Sequence, residues 1–422
     1  MRIVCFTIPE KGHLHPLLPT LRHLEALGHD VVVAAARDVD STVRAAGLRA
    51  RTLTLAVPPP PAHFITAGAA FAEQLRDPVW LAAWIEALLI DAVPGQVPAM
   101  EAVLADERPD VVVLDPMLYA GAIACARHGV PWAGLSSSLN PVTPSSWQAP
   151  LTDTLQALAA RRRGLFASHD VTAPTFRVAD AVSPWLNVAF SVDAHAPRAA
   201  ADAADVFAVG APFDDDDVRD RDAGVPFDAS RLADRPRLFV SFGSQAFFQP
   251  ALFRAVFAAA ERLGLQVIAS VGDLVDDDAF LASAPGDAIV CRSTPQLRVL
   301  PLVDVVVSHG GANSVVEALA AGRPLLLLPL CNDQHLQARF LLDSDAGAVV
   351  EVNSEVNGFE ARAAFEDDIV RGITRAREPQ RVARVLAISA ALRQGGGPRR
   401  AALLVEQLGR ERRPLTAAMR PV

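Results

Sequence analysis

The feature that most limits what this chain can fold into is a strand–loop–helix–strand pattern that occurs twice. Ile3 to Ile8 is a short apolar run that ends in a loop containing Gly12. After that loop Leu17, Leu18, Leu21, Leu24 and Leu27 recur at close to helical spacing, the pattern stops at Gly28-His29, and a second apolar run follows, Val31 to Ala35. Two buried strands joined through a helix form a parallel pair, because an antiparallel pair needs only a tight turn. Further strands are expected at Val111 to Leu114, from Val130-Pro131-Trp132 onward, and at Val206 to Gly210. The same grammar restarts after Pro236: Leu238 to Phe242 ending in Gly243-Ser244, then Gln266 to Val271, Asp304 to Ser308 and Pro324 to Leu330.

Between the two series lies a charged stretch without core residues, Asp214 to Asp217 and Arg219 to Asp222, which reads as a linker. The fold class expected is therefore α/β, with two facing Rossmann-like domains and a ligand cleft between them. Open parallel sheets bind ligands at the carboxyl ends of their strands. The boundaries that follow are 1–212 for the first domain, 213–235 for the linker, 236–392 for the second domain and 393–422 for a C-terminal segment.

Composition narrows the function classes. A length of 422 residues exceeds what one core normally organises. A hydrophobic share of 51% with 21% charged residues fits an ordinary globular chain. The net charge of −9 argues against a nucleic-acid partner, and the cluster Arg161, Arg162, Arg163 reads as a solvated loop or helix end. Cys5, Cys125, Cys291 and Cys331 form no CxxC pair, which argues against a zinc site or a disulfide framework and fits a cytoplasmic setting. The apolar run at the N-terminus is too short for a signal peptide, and no uninterrupted apolar stretch reaches the ~18 residues of a membrane span.

Most of the chemical information lies between Pro295 and Gln334. The segment reads Pro295-Gln296, then Ser308-His309-Gly310-Gly311-Ala312-Asn313-Ser314 with Glu317, then Gly322-Arg323-Pro324, Pro329 and Asp333-Gln334. A strand ends at Ser308, two glycines let backbone approach a ligand, and Asn313 and Ser314 fall where a helix begins. Free N–H groups and the macrodipole make such a helix start an anion site, and His309 adds a donor. Glu317, one turn on, can accept hydrogen bonds from ribose hydroxyls. Asp333 and Gln334 follow the next buried strand, where a carboxylate beside an amide suits a sugar. Taken singly, Asn-Ser is a plain helix cap, Gly-Gly a turn and Asp-Gln surface; it is their order at strand ends that is specific.

This segment resembles the donor-binding signature of family-1 glycosyltransferases, the group that contains plant secondary-product and bacterial natural-product (macrolide-type) transferases: Pro-Gln, His-x-Gly-x-Asn-Ser-x-x-Glu, Gly-x-Pro, Pro with Asp-Gln. The resemblance implies the two-Rossmann GT-B fold and a nucleotide-sugar co-substrate, with UDP-glucose the first choice and a dTDP-deoxysugar the second. It implies that His309, Gly311, Asn313 and Ser314 surround the diphosphate, with Ser244 facing the same phosphates. Glu317 would hold the ribose, Gln296 belongs to the same donor site, and Asp333 and Gln334 would hold the sugar. It also implies that the C-terminal helix packs back toward the first domain. Plant members carry a stacking Trp where this chain has Ser293, so the base must be held differently here.

In the first half, Pro9-Glu10-Lys11-Gly12-His13-Leu14-His15-Pro16 follows the first strand. Imidazole titrates near neutrality and suits a general base. The resemblance places the base at His13, with His15 as competitor. Asp115, after the strand Val111 to Leu114, is the candidate partner for His13; its alternative role is a helix cap. Plant-type members place that carboxylate nearer Tyr119 and Ala120. The expected reaction is direct displacement with inversion, without a metal. The acidic runs Asp214 to Asp217 and Asp276 to Asp278 contain DxD-like spacing but lie in loops.

For the acceptor, Phe64, Phe71, Trp80 and Trp84 form an aromatic stripe that is either core or pocket. The resemblance makes this region a hydrophobic pocket for a lipophilic, hydroxyl-bearing small molecule, closed by Ser136 to Pro144 and Trp147. Rival readings are a sugar-nucleotide epimerase, a membrane-associated cell-wall transferase and a non-catalytic helper that activates a partner enzyme. The presence of His13, Asp333 and Gln334 weighs against the helper. The absence of GxGxxG in the first loop weighs against a dehydrogenase.

Overall fold

A computed structural model describes residues 1–58, 68–75, 77–214, 225–352 and 362–417. The chain divides into two compact units. One comprises Met1–Phe64, Ala82–Asp214 and Leu392–Val422; the other comprises Ile65–Leu81 and Asp215–Ala391.

The first unit is built on a seven-stranded sheet. Its strands are β1 (Arg2–Thr7), β2 (Asp30–Ala35), β3 (Arg51–Thr54), β4 (Val111–Leu114), β5 (Trp132–Ser136), β8 (Leu186–Ala189) and β9 (Val206–Ala208), in the spatial order β3-β2-β1-β4-β5-β8-β9. Every pairing is parallel. A separate antiparallel pair, β6 (Phe176–Arg177) and β7 (Asp180–Ala181), stands outside this sheet. Parallel strands covered on both faces must be apolar throughout, and Val111 to Leu114 is buried at every position. The strand order reverses at β1 and β4, which pair directly (Phe6 beside Leu114), so the loops leaving their carboxyl ends emerge side by side.

The second unit repeats the plan with β10 (Arg237–Ser241), β11 (Gln266–Ser270), β12 (Ile289–Cys291), β13 (Val305–Ser308), β14 (Leu325–Leu327) and β15 (Gly347–Val349). The order is β12-β11-β10-β13-β14-β15, again wholly parallel, with the switch point between β10 and β13 (Ser241 beside Ser308). The chain is thus a mixed α/β molecule with two parallel Rossmann-like sheets.

The last helix, Gly397–Glu411, packs on the helix Leu18–Ala26 and on β4 and β8. Ala401, Ala402, Val405 and Leu408, on one helical face, are buried in the first unit's core. The chain enters this helix past Gly210 and Gly395; a Cβ on Gly395 would lie 2.6 Å from the Gly210 Cα, so only glycine lets the two backbones meet. Pro78 to Glu107 is one helical run, long and apolar enough to cross a membrane by length and composition. Its residues Val93, Val97, Met100 and Leu104 are buried, and the stretch Val93–Glu107 packs on the helix Tyr119–His128.

Several sequence expectations need correction. Arg162 is buried rather than solvated: its guanidinium donates to the carbonyls of Leu155 (3.0 Å) and Val178 (2.9 Å) and lies 4.5 Å from the Phe176 ring centroid. The loop after β1 contains a helical turn, Lys11–Leu14. In the acidic linker, Asp215 to Asp217 and Arg219 to Asp222 lie outside the described residues.

Candidate active site

Because β1 and β4 are neighbours, the residues that follow them meet. His13, in the turn after β1, places Nδ1 2.7 Å from Oδ2 of Asp115, the residue directly after β4. Asp115 is fixed in turn: its amide donates to the Phe6 carbonyl (3.0 Å), and its Oδ1 accepts from the Met117 amide (3.0 Å). Its side chain is 1% exposed, whereas that of His13 is 25% exposed. The helix after β4 is capped by Leu118, so Asp115 closes a local turn and faces His13 without serving as the N-cap.

Ser137, after β5, brings its hydroxyl 3.2 Å from the same Nδ1. A carboxylate can only accept, so Nδ1 carries the proton and the basic lone pair falls on Nε2. His15 ends the turn and is half-buried. Tyr119 and Ala120, where plant-type members would carry the carboxylate, are buried.

One residue here had no sequence signal. Asp180 is 2% exposed, accepts from Ser136 Oγ (2.6 Å) and Asn140 Nδ2 (2.8 Å), and so lies directly beneath the loop that carries Ser137.

In the second unit the loops after β10, β13 and β14 are adjacent for the same topological reason. His309 follows β13 and is buried; its Nδ1 lies 3.3 Å from Ser308 Oγ. Gly243 has φ +78°, and a Cβ there would meet the ring at 2.7 Å; a Cβ on Gly311 would meet it at the same distance. The two glycines therefore exist to admit the imidazole. Gly311 is the N-cap of the helix Ala312–Ala320, so Asn313 and Ser314 are not plain caps: both stand in the first turn, half-buried, at the positive end of the dipole. Ser314, Gln296, Ser241 and Ser308 line one narrow crevice. Ser244 is exposed just past Gly243.

Glu317 is 1% exposed and accepts from Gln296 Nε2 at 2.6 Å. Gln334 is buried too. Its Oε1 accepts from the amides of Leu330 (2.8 Å) and Cys331 (3.1 Å), so this side chain shapes its own loop. Asp333 stays half-exposed and accepts from Gln337 Nε2 at 3.3 Å. Ser293, in the place of the plant Trp, is exposed beside Arg292, which is paired with Asp273 and Asp276. Asp277 accepts from the Phe280 amide as a helix cap, so two of the carboxylates in the second acidic run have structural partners. Asp214, from the first run, accepts from His23 Nε2 at 2.7 Å.

Burial pushes the His309 imidazole down to about 4 from 6.5, with its bond to the Ser241 backbone acting the other way. The sign follows directly. Between about pH 4 and 6.5 the unfolded chain binds a proton at this residue that the folded chain does not, so stability rises with pH through this window. The contribution is present above 6.5 and lost as pH falls toward 4, on the order of 3 kcal/mol in total. Asp180 is pushed up by its burial and has the opposite slope. The expected result is therefore a difference: His309→Asn loses less stability than the wild type between pH 7 and pH 4.5, read from urea midpoints.

Of the acceptor candidates, Phe71 (1% exposed) and Trp84 (8%) are buried, and Trp80 packs edge-on against Phe71 with centroids 6.0 Å apart. Trp147 is half-buried, and Phe64 lies outside the described residues.

Two all-parallel Rossmann-like sheets, each with a polar constellation at its switch point, match solved glycosyltransferases of the GT-B fold. Residues 83–211 match the erythromycin biosynthesis protein CIII-like N-terminal domain, and residues 238–360 match the glycosyltransferase family 28 C-terminal domain. The oleandomycin glycosyltransferase of Streptomyces antibioticus is 28% identical, covering 96% of this chain and 90% of that protein. The demethyllactenocin mycarosyltransferase of Streptomyces fradiae is 27% identical over 96% of this chain and 86% of the relative. The spinosyn rhamnosyltransferase SpnG, solved with thymidine diphosphate and with spinosyn aglycone, superposes with a TM-score of 0.68 at 21% identity, covering 97% of this chain and 100% of SpnG. Over nearly its whole length the chain is thus similar to bacterial natural-product glycosyltransferases and has the GT-B fold, which supports a sugar-transferring enzyme.

Proposed function

We propose that this enzyme transfers a sugar from a nucleoside-diphosphate sugar to a hydroxyl of a lipophilic natural product, with inversion and without a metal. The observation that carries the proposal is the pairing of His13 with Asp115 at the first switch point, in a chain whose second switch point carries the His309–Ser314 loop. Asp115 on Nδ1 directs proton uptake to Nε2 of His13. The acceptor oxygen gives up its proton there and attacks the anomeric carbon. The bond from that carbon to the diphosphate breaks, and the electron pair leaves on the phosphate. The first turn of the helix Ala312–Ala320, with Asn313 and Ser314, stabilises that charge, taking the part a cation would otherwise play. Glu317 and Gln296 hold the ribose as one hydrogen-bonded unit, Asp333 binds the sugar, and Gln334 acts on the sugar through the loop it shapes.

The thymidine diphosphate in SpnG favours a dTDP-sugar over UDP-glucose as donor, and the macrolide named in one relative favours a large apolar acceptor. On this reading Trp84 stands in the wall behind an acceptor pocket of the first unit, and Trp147, of the same unit, meets the ligand.

The test is calorimetric titration with dTDP and UDP in the presence of a chelator. The expected result is dTDP binding that weakens about tenfold in Ser314→Ala, the loss of one charge-assisted hydrogen bond. Absence of binding by either diphosphate would return the helper-protein reading to the front.

A further inference from the structure

We propose that the hairpin Phe176–Ala181 is a positioning element for the base: Asp180 ties down the Ser136–Asn140 loop so that Ser137 and Asp115 meet His13 Nδ1 together. The inference rests on the reading of His13 as base.

The hairpin is held at three places. At its tip, Val178 has φ +51°, a left-handed conformation that a β-branched residue rarely adopts. Such a conformation persists only where the surroundings impose it. Here the Val178 carbonyl accepts from the buried Arg162 (2.9 Å), and the neighbouring Ala179 carbonyl accepts from the Tyr119 hydroxyl (2.7 Å). The Phe176 ring packs against both Tyr119 and Phe166, with centroids 5.3 and 5.7 Å apart, and the Arg162 guanidinium covers it.

From this anchored tip the hairpin reaches both loops that carry partners of His13. The Ala181 amide donates to the carbonyl of Pro116, the residue after Asp115, at 2.9 Å. Asp180 accepts from Ser136 and Asn140, on either side of Ser137, and Arg177 donates to the Pro141 carbonyl at 2.9 Å. The Ser136 oxygen also accepts from the Ser138 amide (3.2 Å), so both neighbours of Ser137 are fixed through one hydroxyl. A buried carboxylate is costly unless it is well bonded. Placing one under a loop that touches the base, where an apolar residue would fill the space, is an arrangement with a purpose at that loop.

Electrostatics gives the test its direction. Burial pushes Asp180 up to about 7. Its bonds to Asn140 and Ser136 pull it down, Asp115 pushes it up and His13 pulls it down. Other charged or titratable groups around the hairpin are Tyr119, Arg162, Arg177 and Asp205, which pairs with Arg177 at 2.9 Å. Once ionised, Asp180 favours the imidazolium that His13 becomes when it takes the acceptor proton. Removing that charge moves the acidic limb of the kcat profile to lower pH.

The experiment compares wild type, Asp180→Asn, Ser137→Ala, the double variant and His13→Ala with one dTDP-sugar and one acceptor, alongside ¹⁵N-histidine spectra of the His13 imidazole. Asp180→Asn is expected to lower kcat about tenfold or more, within the range of a misplaced base, with dTDP affinity unchanged. Its acidic limb should move to lower pH, and the His13 Nδ1 signal should shift. The double variant should lose little more than the worse single variant, because both act through one contact. Where Asp180→Asn folds poorly, Ser136→Ala removes one bond, leaves the carboxyl in place, and should change the same readouts in a smaller degree. An unchanged His13 signal and an unmoved limb in these variants overturn the proposal, as does strict additivity in the double variant. Should His13→Ala retain turnover, the base assignment fails, and the imidazole signal alone decides whether Asp180 positions His13.

Discussion

Replacing His13 with alanine is expected to lower kcat by about 10²–10⁴-fold, the range of a general base, and to leave the affinity for dTDP unchanged. The separation of effects follows from the fold. His13 leaves β1 of the first sheet, and its partners Asp115 and Ser137 leave the neighbouring β4 and β5. The loop assigned to the diphosphate leaves β13 of the second sheet. The proton and the diphosphate are assigned to different residues, so loss of the imidazole is expected to leave diphosphate binding in place. Asp115→Asn should follow in kind: an amide at 2.7 Å from Nδ1 can hold the wrong tautomer, with the proton moved to Nε2 where the base must be free. Steady-state kinetics with a parallel calorimetric titration separates these outcomes. Loss of dTDP binding in His13→Ala would contradict the division of labour.

The second large effect is expected at Gly243. Alanine there is penalised twice, since φ is +78° and the new methyl would sit 2.7 Å from the His309 ring. The ring has little room to retreat, because it is buried and its Nε2 edge also faces Gly311. The expected cost is about 2–4 kcal/mol of stability, combining backbone strain and overpacking. Diphosphate affinity should fall by about 10-fold or more as His309 leaves its place, the loss of one strong hydrogen bond to a charged group. Gly311→Ala separates the two causes. Gly311 has φ −59°, so only the ring contact acts there, and affinity should fall with a smaller loss of stability. Thermal melts and dTDP titration of both variants check this. Wild-type affinity in both would remove His309 from the diphosphate site.

The parts of this molecule that were legible in its sequence are those where local chemistry and global fold agree. The central strands β1, β4, β10 and β13 are apolar on both faces because they are covered on both, so their ends could be placed within a residue or two. That placement put His13 and Asp115 at strand ends, and parallel topology did the rest. Of the four edge strands only β9 was legible, as the apolar run Val206 to Gly210. Arg51–Thr54 is half-exposed and polar, while Ile289–Cys291 and Gly347–Val349 are three residues long, too short for a period. Gln334 could be read as a sugar ligand because nothing local announces that its amide turns back onto Leu330 and Cys331. Asp180 was invisible for a related reason. Its partners lie 40 and 44 residues away in sequence, and only the folded chain brings them under one loop. Arg162 looked like one of three surface arginines, and its burial depends on carbonyls from two other segments.

The measurement that bears most directly on the central claim is release of nucleoside diphosphate from a dTDP-sugar, followed with and without a panel of hydroxylated macrolide acceptors, in chelator. The account predicts release that depends on acceptor, appears together with a glycosylated product of inverted anomeric configuration, and disappears in His13→Ala. Turnover of the nucleotide sugar that is indifferent to acceptor, or that needs an added divalent cation, would contradict it.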